Sequence, residues 1–374
     1  MTLPVRRRIG IDGRELLGDR TGVGRYLGEL IRRWTARGDA HRRHFILYAP
    51  EPLEAELTAL LRVGAGADSP ATLTRVSGRG KGTWWEQTAL RRQVAADKLD
   101  VFFAPAYTSP VGIGVPLAVT IHDISFVAHP EWFRPREGLR RRLLTGRAAA
   151  TARVIFTDSE FSRREIEARL HAEAGKIRVI PPGFTAPAAA RGEPRTPLVL
   201  FVGSLFNRRR LPDLITAFAR ATMDMPSARL AIVGDDRTWP RQDLRSVAQE
   251  QGVAYRVDFL SYVPEAELAA LYGRASVFAF LSEYEGFGLT PLEALSAGVP
   301  IVVLDSAVSR EVYGDAARYV TDVDGAAAAL RGLLTSPAER AAQLSRAPAV
   351  LARYSWDAAA AATLSELDRI AGGS

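Results

Sequence analysis

Two glutamates stand in a glycine-containing run that has the composition of a ligand-binding loop followed by a helix. The run covers residues 283–300 and follows the apolar strand pattern Val277–Leu281. Glu285 falls in the loop, and Glu293 falls about two turns into a helix whose first turn accommodates Pro291. Glycines allow backbone N–H groups to face a ligand, and two carboxylates so placed can hold hydroxyls on two rings of one long ligand. For either glutamate alone, the alternative is a surface carboxylate on a capped helix.

A second candidate site is the cationic run from Gly203 to Arg210, which reads GSLFNRRR. It includes Ser204 and follows the apolar strand pattern Leu198–Val202. Arg208 and Arg209 could clamp a diphosphate, because each guanidinium presents forked donors to phosphate oxygens. The alternative is a solvated basic turn. The second half of the chain is net acidic, which favours a function for this local cluster.

His122 follows the fourth predicted strand of the chain, where open α/β sheets bind ligands. It could donate to a sugar hydroxyl or a phosphate, and the adjacent Asp123 could orient it. A lone histidine is more often structural. The remaining histidines show neither pairing nor metal-ligand spacing: His41, His44, His129 and His171.

A short glycine-containing segment, TGVGRY at residues 21–26, follows the first predicted strand and opens a helix. Gly22 and Gly24 could let backbone N–H groups approach an anion at a helix N-terminus. A tight turn without a ligand is an equal alternative.

The chain offers few metal ligands. It contains no cysteine, which removes disulfides and thiolate-ligated zinc or iron–sulfur sites. Asp322 and Asp324 could hold a metal with a sugar diphosphate, but we favour a helix N-cap at this position. We therefore expect no metal and no cofactor.

The elements that must position these residues form two similar series. Short apolar strands alternate with longer helical patterns, which is typical of parallel sheets covered on both faces. Each half has about six such strands, so the sequence predicts two doubly wound, Rossmann-like α/β domains. The predicted strands are Ile9–Ile11, Phe45–Tyr48, Val101–Ala104, Leu117–Ile121, Val154–Thr157, Ile177–Ile180, Leu198–Val202, Leu230–Val233, Val257–Leu260, Val277–Leu281, Ile301–Leu304 and Arg318–Val320.

Composition shifts mark the domain boundaries. We predict a first domain over residues 1–183, an Ala-, Pro- and Arg-rich linker over 184–197, and a second domain over 198–355. A last helical pattern, residues 356–374, could return to the first domain. A further helix is expected near Ser162, which forms a capping-box pattern with Glu165.

The net charge is +7, and it is unevenly distributed. Residues 1–183 hold 30 basic and 20 acidic residues, so the positive charge belongs to the first half alone. Such asymmetry is typical of proteins with an anionic partner, although arginine-rich composition also accompanies GC-rich genomes. No run approaches ~20 apolar residues, and the N-terminus lacks the apolar region of a signal peptide. We therefore expect a cytoplasmic protein.

Together, these motifs resemble glycosyltransferase family 4, whose members have the GT-B fold of two facing Rossmann-like domains. The family signature is a pair of glutamates separated by seven residues, here Glu285 and Glu293, followed by an Ala-Gly-x-Pro turn at 297–300. The resemblance covers nearly the whole chain and includes the TGVGRY segment, His122-Asp123 and the run TDSEFS at 157–162. It implies a last helix that crosses back to the N-terminal domain.

The resemblance implies retaining, front-face transfer of a hexose from a nucleotide-diphosphate sugar, in a cleft between the domains and without a metal. His122 would contact the donor sugar near the reacting carbon, and Glu293 would hold the ribose. Glu285 would hold donor-sugar hydroxyls with backbone groups of Gly286, Phe287, Gly288 and Leu289. The diphosphate would be neutralised by Arg208 and Arg209, with help from the segment around Gly24. The family commonly has Arg-Lys where this chain has two arginines.

Within the family, the chain looks most like bacterial mannosyltransferases of polysaccharide assembly. We therefore expect GDP-mannose as donor and a glycan or polyprenyl-diphosphate-linked saccharide as acceptor. Alternatives are a UDP- or dTDP-sugar donor, or a nucleotide-sugar epimerase. A phosphorylase is excluded because residues 184–374 contain no lysine to carry pyridoxal phosphate.

The positive charge of the first half raises two further candidate partners, nucleic acid and an anionic membrane surface. Nucleic acid is disfavoured, because the arginine pairs are dispersed and lack interleaved aromatic residues. An anionic membrane surface is a hypothesis for the first domain, which would place the protein at the inner face of the membrane. Arg140, Arg141, Arg142 and Arg147 share a helical pattern with Leu139, Leu143 and Leu144.

Overall fold

The computed structural model describes residues 6–18, 22–62, 72–76, 82–187, 195–261 and 263–373. These residues divide into two compact units. The first comprises Met1–Val127, Arg136–Gly183 and Ser355–Ser374, and the second comprises Ala128–Pro135 and Phe184–Tyr354.

The first unit contains a seven-stranded parallel sheet in the order β3-β2-β1-β4-β5-β6-β7. Its strands are β1 (Arg7–Asp12), β2 (Arg43–Ala49), β3 (Thr72–Val76), β4 (Val101–Ala104), β5 (Leu117–Thr120), β6 (Val154–Thr157) and β7 (Ile177–Val179). Its helices are α1 (Gly22–Ala36), α2 (Ala55–Arg62), α3 (Gly82–Trp85), α4 (Arg91–Ala96), α5 (Ser125–Ala128), α6 (Pro135–Thr151), α7 (Glu160–Leu170) and α16 (Trp356–Ala371). A π-helical turn, Glu86–Leu90, joins α3 to α4.

The second unit contains a six-stranded parallel sheet in the order β10-β9-β8-β11-β12-β13. Its strands are β8 (Leu198–Val202), β9 (Arg229–Val233), β10 (Val257–Leu260), β11 (Val277–Phe280), β12 (Ile301–Leu304) and β13 (Ala317–Val320). Its helices are α8 (Leu211–Ala221), α9 (Leu244–Glu250), α10 (Glu265–Arg274), α11 (Leu289–Ser296), α12 (Ala307–Tyr313), α13 (Val323–Thr335), α14 (Pro337–Leu344) and α15 (Ala347–Leu351).

The prediction of two doubly wound domains is confirmed, but the strand count of the first was one too low. The missed strand is β3, which pairs in parallel with β2 at the edge of the sheet. Its sequence, TLTRV, contains no continuous apolar run. Edge strands are paired on one side only and tolerate polar residues, so hydrophobicity alone does not reveal them.

The order of strands places the functional loops. Each sheet has one point where the chain changes direction along the strand order, between β1 and β4 in the first and between β8 and β11 in the second. Loops that leave the carboxyl ends of strands at such a point diverge and open a crevice, where ligands bind in this class of fold. The runs after β8 and β11 therefore meet at the carboxyl ends of these two neighbouring central strands.

The last helix, α16, packs in the first unit, as the resemblance implied. The buried indole of Trp34 in α1 donates a hydrogen bond to the backbone oxygen of Ala360 (2.8 Å) and stacks on Phe45. Asp368 accepts two hydrogen bonds from Nε of Arg43, at 3.1 and 3.2 Å. Helix α16 therefore closes the apolar core that also contains Ile9 and Ile11 of β1.

The unit boundaries differ from the predicted ones: Ser355 belongs to the first unit, and the described part of the predicted linker belongs to the second. The sequence assigned residues 128–135 to the first domain, whereas in the structure they pack with the second unit. His129 and Arg134 contact aromatic rings of the second unit, as described below. Of the predicted linker, residues 188–194 lie outside the described part of the chain.

The N-caps of α7 and α13 can be compared with the sequence predictions. The cap of α7 is Ser159, whose side chain accepts a hydrogen bond from the backbone N–H of Ser162, so the capping box predicted at Ser162 was wrong by one turn. Asp322 caps α13 by accepting from the N–H of Gly325 (2.7 Å), as favoured from the sequence. Across the described ranges, no helix is both long and apolar enough to cross a bilayer.

The packing of α16 on α1 generates a stability prediction. Trp34→Ala removes a fully buried ring that contacts both helix and sheet, and we expect it to lower the free energy of unfolding by about 3–5 kcal/mol. The matched control is Trp84→Ala, whose ring is 73% exposed and whose removal should change stability by less than about 0.5 kcal/mol. Urea unfolding followed by circular dichroism measures both. Equal midpoints for the two variants would contradict this packing.

Candidate active site

The second unit holds a buried cluster of two arginines and one glutamate. Nε of Arg209 donates to Oε1 of Glu285 (3.1 Å), and Nη2 of Arg208 lies 3.6 Å from Oε2 of the same carboxylate. Ser282 Oγ donates to Oε1 of Glu285 at 2.9 Å. Arg208 and Glu285 are each only 9% exposed. The runs after β8 and β11 are thus joined by charge-assisted bonds in a site of low solvent access.

Arg209 is held in this cluster by an aromatic ring and a backbone oxygen as well as by Glu285. Its guanidinium sits over the ring of Phe280, 5.1 Å from the centroid, and its Nη1 donates to the backbone oxygen of Ser204 (2.7 Å). Burial lowers the pKa of Arg209 despite the opposing effect of Glu285. A cation held in this way is already desolvated and oriented, so an incoming anion gains more from it than from a solvated side chain.

Two glycines permit the close approaches on which the cluster depends. Gly203 has a φ of +141°, and a Cβ there would collide with Nη1 of Arg209. Gly288 has a φ of +91°, and a Cβ there would collide with the hydroxyl of Tyr313. That buried hydroxyl donates to the backbone oxygen of Gly288 (3.0 Å) and thereby holds the loop before α11.

The loop leads into the N-terminus of α11, which begins at Leu289. Gly286 and Phe287 precede it and are buried. The first N–H groups of a helix carry partial positive charge and favour an anion. Glu293 lies further along α11, is buried, and accepts a hydrogen bond from the hydroxyl of Tyr272 (3.3 Å).

The first unit holds a second buried charged pair. Nδ1 of His122 lies 2.8 Å from Oδ2 of Asp158, and Nε2 lies 3.1 Å from the backbone oxygen of Pro105. Both ring nitrogens therefore face acceptors, which favours the doubly protonated ring. Burial opposes the charge, but the carboxylate of Asp158 outweighs it, and the pKa of His122 is raised above its usual value of 6.5.

The surroundings keep this pair in place. The ring of Tyr26 meets His122 edge-on at 5.0 Å between centroids, and Tyr107 does so at 5.7 Å. Ser162 Oγ donates to the backbone oxygen of His122 (3.1 Å). The imidazole is thus contacted from three segments of the unit, namely α1, the turn after β4 and the turn after β6.

The structure corrects the predicted orienting group. Asp123 accepts hydrogen bonds from the backbone N–H (2.8 Å) and hydroxyl (2.7 Å) of Ser125, at the start of α5. The oxygen that contacts the His122 ring belongs to Asp158, which follows β6, the neighbour of β5. Gly22 and Gly24 lie in the first turn of α1 rather than in a loop, and Thr21 lies outside the described residues.

Several groups that contact the predicted site residues were not predicted from the sequence. Asp158 could have been found, since it follows β6 just as His122 follows β5, and neighbouring parallel strands end at the same edge. Ser282 follows β11 and could have been found in the same way. Tyr313 and Tyr272 carry no such signal, because only the packing of distant helices brings them to the loop and to Glu293.

Family models match both halves of the chain. Residues 20–186 match the model described as Glycosyltransferase Family 4, and residues 188–348 match the one described as Glycosyl transferases group 1. Together the two matches include every candidate residue named above.

Curated relatives match parts of the chain. O-antigen chain mannosyltransferase B of Escherichia coli is 29% identical over 64% of this chain and 66% of its own length. D-inositol 3-phosphate glycosyltransferase of Mycolicibacterium paratuberculosis is 34% identical over 54% and 49%. GDP-mannose:cellobiosyl-diphosphopolyprenol alpha-mannosyltransferase of Komagataeibacter xylinus is 30% identical over 51% and 50%. The matched part of this chain thus spans about half to two thirds of each relative.

Solved structures share the fold over nearly the full chain. Sucrose-phosphate synthase of Thermosynechococcus elongatus superposes with a TM-score of 0.74 at 20% identity, covering 99% of this chain and 100% of that one. Anabaena Alr3699/HepE in complex with UDP-glucose superposes with a TM-score of 0.70 at 19% identity, covering 96% and 100%. At such identities the likeness establishes the GT-B fold and nothing finer.

The His122–Asp158 pair generates a pH prediction. Asp158→Asn keeps the shape of the side chain but removes its charge, so burial then dominates and the pKa of His122 should fall by about one pH unit or more. The raised pKa stabilises the wild type fully below pH 6.5, and this contribution is lost as the pH rises through the folded value. The variant should therefore be most destabilised, relative to wild type, in the acidic range.

Nuclear magnetic resonance titration of the imidazole signals measures the pKa directly. The exposed His41 serves as an internal reference that the substitution should leave unchanged. Urea unfolding at pH 6 and at pH 9 measures the accompanying change in stability. If His122 titrates at the same pH in both proteins, Asp158 does not set its charge.

Proposed function

Because this chain belongs to the glycosyltransferases, with a family 4 domain followed by a group 1 domain, we propose that it transfers a hexose from a nucleotide-diphosphate sugar to a saccharide acceptor. The donor we propose is GDP-mannose, and the transfer retains the configuration at the anomeric carbon. A single observation carries the proposal: the buried pairing of Arg208 and Arg209 with Glu285 beside the N-terminus of α11.

This arrangement suits departure of a diphosphate. The bond between the anomeric carbon and the diphosphate oxygen breaks, and the electron pair leaves with the phosphate. Negative charge therefore develops where Arg208, Arg209 and the first N–H groups of α11 are fixed, and such preorganised charges stabilise the transition state. The acceptor hydroxyl oxygen forms the new bond to the anomeric carbon, and its proton passes to the departing phosphate oxygen.

Glu285 acts on the sugar rather than on the phosphate. In the structure Oε1 accepts hydrogen bonds from Arg209 and Ser282, and Oε2 lies 3.6 Å from Nη2 of Arg208. The arginines make the carboxylate a weak nucleophile, while its remaining lone pairs can accept hydrogen bonds from sugar hydroxyls. A front-face transfer, which needs no carboxylate nucleophile, agrees with this. Backbone groups of Gly286 to Leu289 complete the contacts to the sugar, and Glu293 holds the ribose.

In the first unit, His122 contributes a fixed ring whose protonated form is favoured by Asp158, and Gly22 and Gly24 contribute the N-terminus of α1. His122 contacts the donor sugar, for which one of its N–H groups exchanges the Pro105 oxygen for a sugar oxygen. The chain has arginine at 209 where the family commonly has lysine. Its planar fork bridges Ser204 and Glu285 at once, which a lysine ammonium does less rigidly.

The proposed donor and acceptor take their support from the relatives. Two of the three relatives described above are named as mannosyltransferases, one of them for GDP-mannose and a diphosphopolyprenol-linked acceptor. We infer a glycan or polyprenyl-diphosphate-linked saccharide as the acceptor. A UDP- or dTDP-sugar donor, or epimerisation without an acceptor, are the competing outcomes.

A lipid-linked acceptor is reached at a membrane surface, and the first unit has a patch of exposed side chains that could bind such a surface. Leu139 and Leu143 on α6 are 52% and 64% exposed, and the indole of Trp84 is 73% exposed. Arg140 of α6 donates to the side chain of Thr83, which brings the Trp84 turn next to α6. We propose that this patch of apolar and arginine side chains binds anionic headgroups at the inner face of the membrane.

The donor proposal is tested with a panel of GDP-, UDP- and dTDP-sugars, with products resolved by mass. We expect GDP-mannose to be turned over best. Arg209→Ala should lower kcat by about 10²–10³-fold, because a charge aimed at the leaving group is lost. Glu285→Gln should lower kcat/KM by about tenfold or more, since a charged acceptor becomes neutral.

The matched control for these variants is Arg331→Ala, which removes an exposed arginine of the same unit that pairs with Asp224 and should leave turnover unchanged. A preference for UDP-glucose would overturn the donor assignment. Near wild-type rates for both Arg209→Ala and Glu285→Gln would overturn the site.

Membrane binding is tested by co-sedimentation with vesicles of phosphatidylglycerol and of phosphatidylcholine. The full chain should pellet with the anionic vesicles at low salt only, and Leu139→Ser with Leu143→Ser should weaken binding by about tenfold, because apolar contact is lost. Met223→Ser is the control, since it replaces an apolar side chain that is 84% exposed in the other unit. Absence of pelleting with anionic vesicles would refute the proposed surface.

A further inference from the structure

A cavity in the second unit lies beside the arginine–glutamate cluster and is used by none of the steps above. Its volume is about 370 Å³, within the range of small-molecule sites. Its walls include Trp132, Asn207, Arg210, Gln242 and Glu283. Trp132 comes from the segment 128–135, which packs with the second unit although its neighbours along the chain belong to the first.

The segment 128–135 is held on the second unit by ring contacts. The ring of His129 stacks on Trp132, with centroids 4.0 Å apart and planes 13° apart, and meets Tyr284 edge-on at 5.3 Å. Arg134 lies over the ring of Trp239 at 5.2 Å. These contacts fix the indole of Trp132 at the cavity wall, with one face covered by His129.

The polar wall opposite is also rigid. Arg210 is paired with Asp213, and its left-handed backbone (φ +49°) begins α8. The side chain of Asn207 donates to the backbone oxygen of Pro240 (3.0 Å) and accepts from the backbone N–H of Trp239 (2.8 Å). The cavity is therefore formed before any ligand arrives, which lowers the entropic cost of binding.

Two groups in this wall lack partners in the structure. Oε1 of Gln242 is buried and accepts no hydrogen bond from the described residues, a situation that is unfavourable unless a ligand or water supplies a donor. The carboxylate of Glu283 also has no hydrogen-bond partner among them, but the residue is exposed, so it is open to a donor from a ligand or from water. Burial raises the pKa of Glu283 against the effects of Arg210 and His129, with Asp213 and Glu131 adding to the rise.

The combination of an aromatic ring with free carboxylate and amide oxygens matches a pyranose. A sugar ring presents a face of C–H groups, which packs on an indole, and a rim of hydroxyls, which donate to planar oxygen acceptors. We propose that this cavity is a saccharide subsite for the acceptor, with Trp132 as the stacking platform and Glu283 and Gln242 as hydroxyl acceptors. The assignment to the acceptor rests on the proposed glycosyl transfer.

The location supports the acceptor rather than the donor. The backbone N–H of Glu283 donates to the backbone oxygen of Arg208 (2.9 Å), and Glu283 precedes Glu285 by two residues. The turn at 207–210 therefore has two sides, with Arg208 and Arg209 toward Glu285 and Asn207 and Arg210 toward the cavity. A saccharide in the cavity lies next to the site of the departing diphosphate without occupying it.

The test measures saccharide binding without any turnover. The probe is methyl α-D-mannopyranoside, and its affinity for the full chain is determined by saturation-transfer magnetic resonance. Trp132→Ala should weaken binding by about tenfold, Trp132→Phe should largely restore it, and Glu283→Gln should weaken it by about threefold. Tyr255→Ala, which removes an exposed aromatic ring elsewhere in the same unit, should leave binding unchanged.

GDP binding to the same variants separates the possible outcomes. Unchanged GDP affinity in Trp132→Ala, together with lost mannoside affinity, supports the subsite and also shows that the variant is folded. Equal mannoside affinity in wild type and Trp132→Ala would overturn the proposal, and so would parallel loss of GDP, because the cavity would then serve the donor. If no donor is turned over yet mannoside binding depends on Trp132, the proposed transfer fails while the saccharide site stands.

Discussion

The carboxylate of Glu285 is buried between two arginines, and much of the second unit is arranged around that one interaction. An isolated charge in such a place would be strongly unfavourable, so the turn after β8 and the loop after β11 must meet with their opposite charges in register. The glycines at 203 and 288 serve this requirement, since a side chain at 203 would collide with Arg209 and one at 288 would collide with the Tyr313 hydroxyl that holds the loop after β11. The orientation of α11 follows as well, because its N-terminus is tied to the same loop.

The pair of His122 and Asp158 applies the same constraint in the first unit. Two charged groups leave neighbouring parallel strands, β5 and β6, and neutralise one another at the sheet edge. In both units the charges are thus positioned and desolvated by the protein itself. A ligand that binds there exchanges partners within an existing network and does not have to order flexible side chains, which is the physical basis of preorganised catalysis.

The turn at 207–210 connects the arginine–glutamate cluster of the second unit to the cavity beside it. Its middle residues face the glutamate, and its outer residues support the wall of the cavity that Trp132 lines. Arg210 adopts a left-handed backbone there, which costs a non-glycine residue about 1–2 kcal/mol. Such strain persists where surrounding contacts over-determine the conformation, and here the bond to Asp213 and the start of α8 supply them.

The sequence by itself determined the fold class and singled out the charged residues that cluster in the second unit. Continuous apolar strands indicate parallel sheets from the sequence alone. Glu285, Arg208 and Arg209 lie in short runs that can be recognised without knowing which distant segments they contact. Only the tertiary structure decided which groups became partners across the chain. Asp158 and not Asp123 orients His122, Tyr313 holds the loop before α11, and Trp132 joins the second unit. These pairings depend on strand order and side-chain packing between distant segments, which no local pattern encodes.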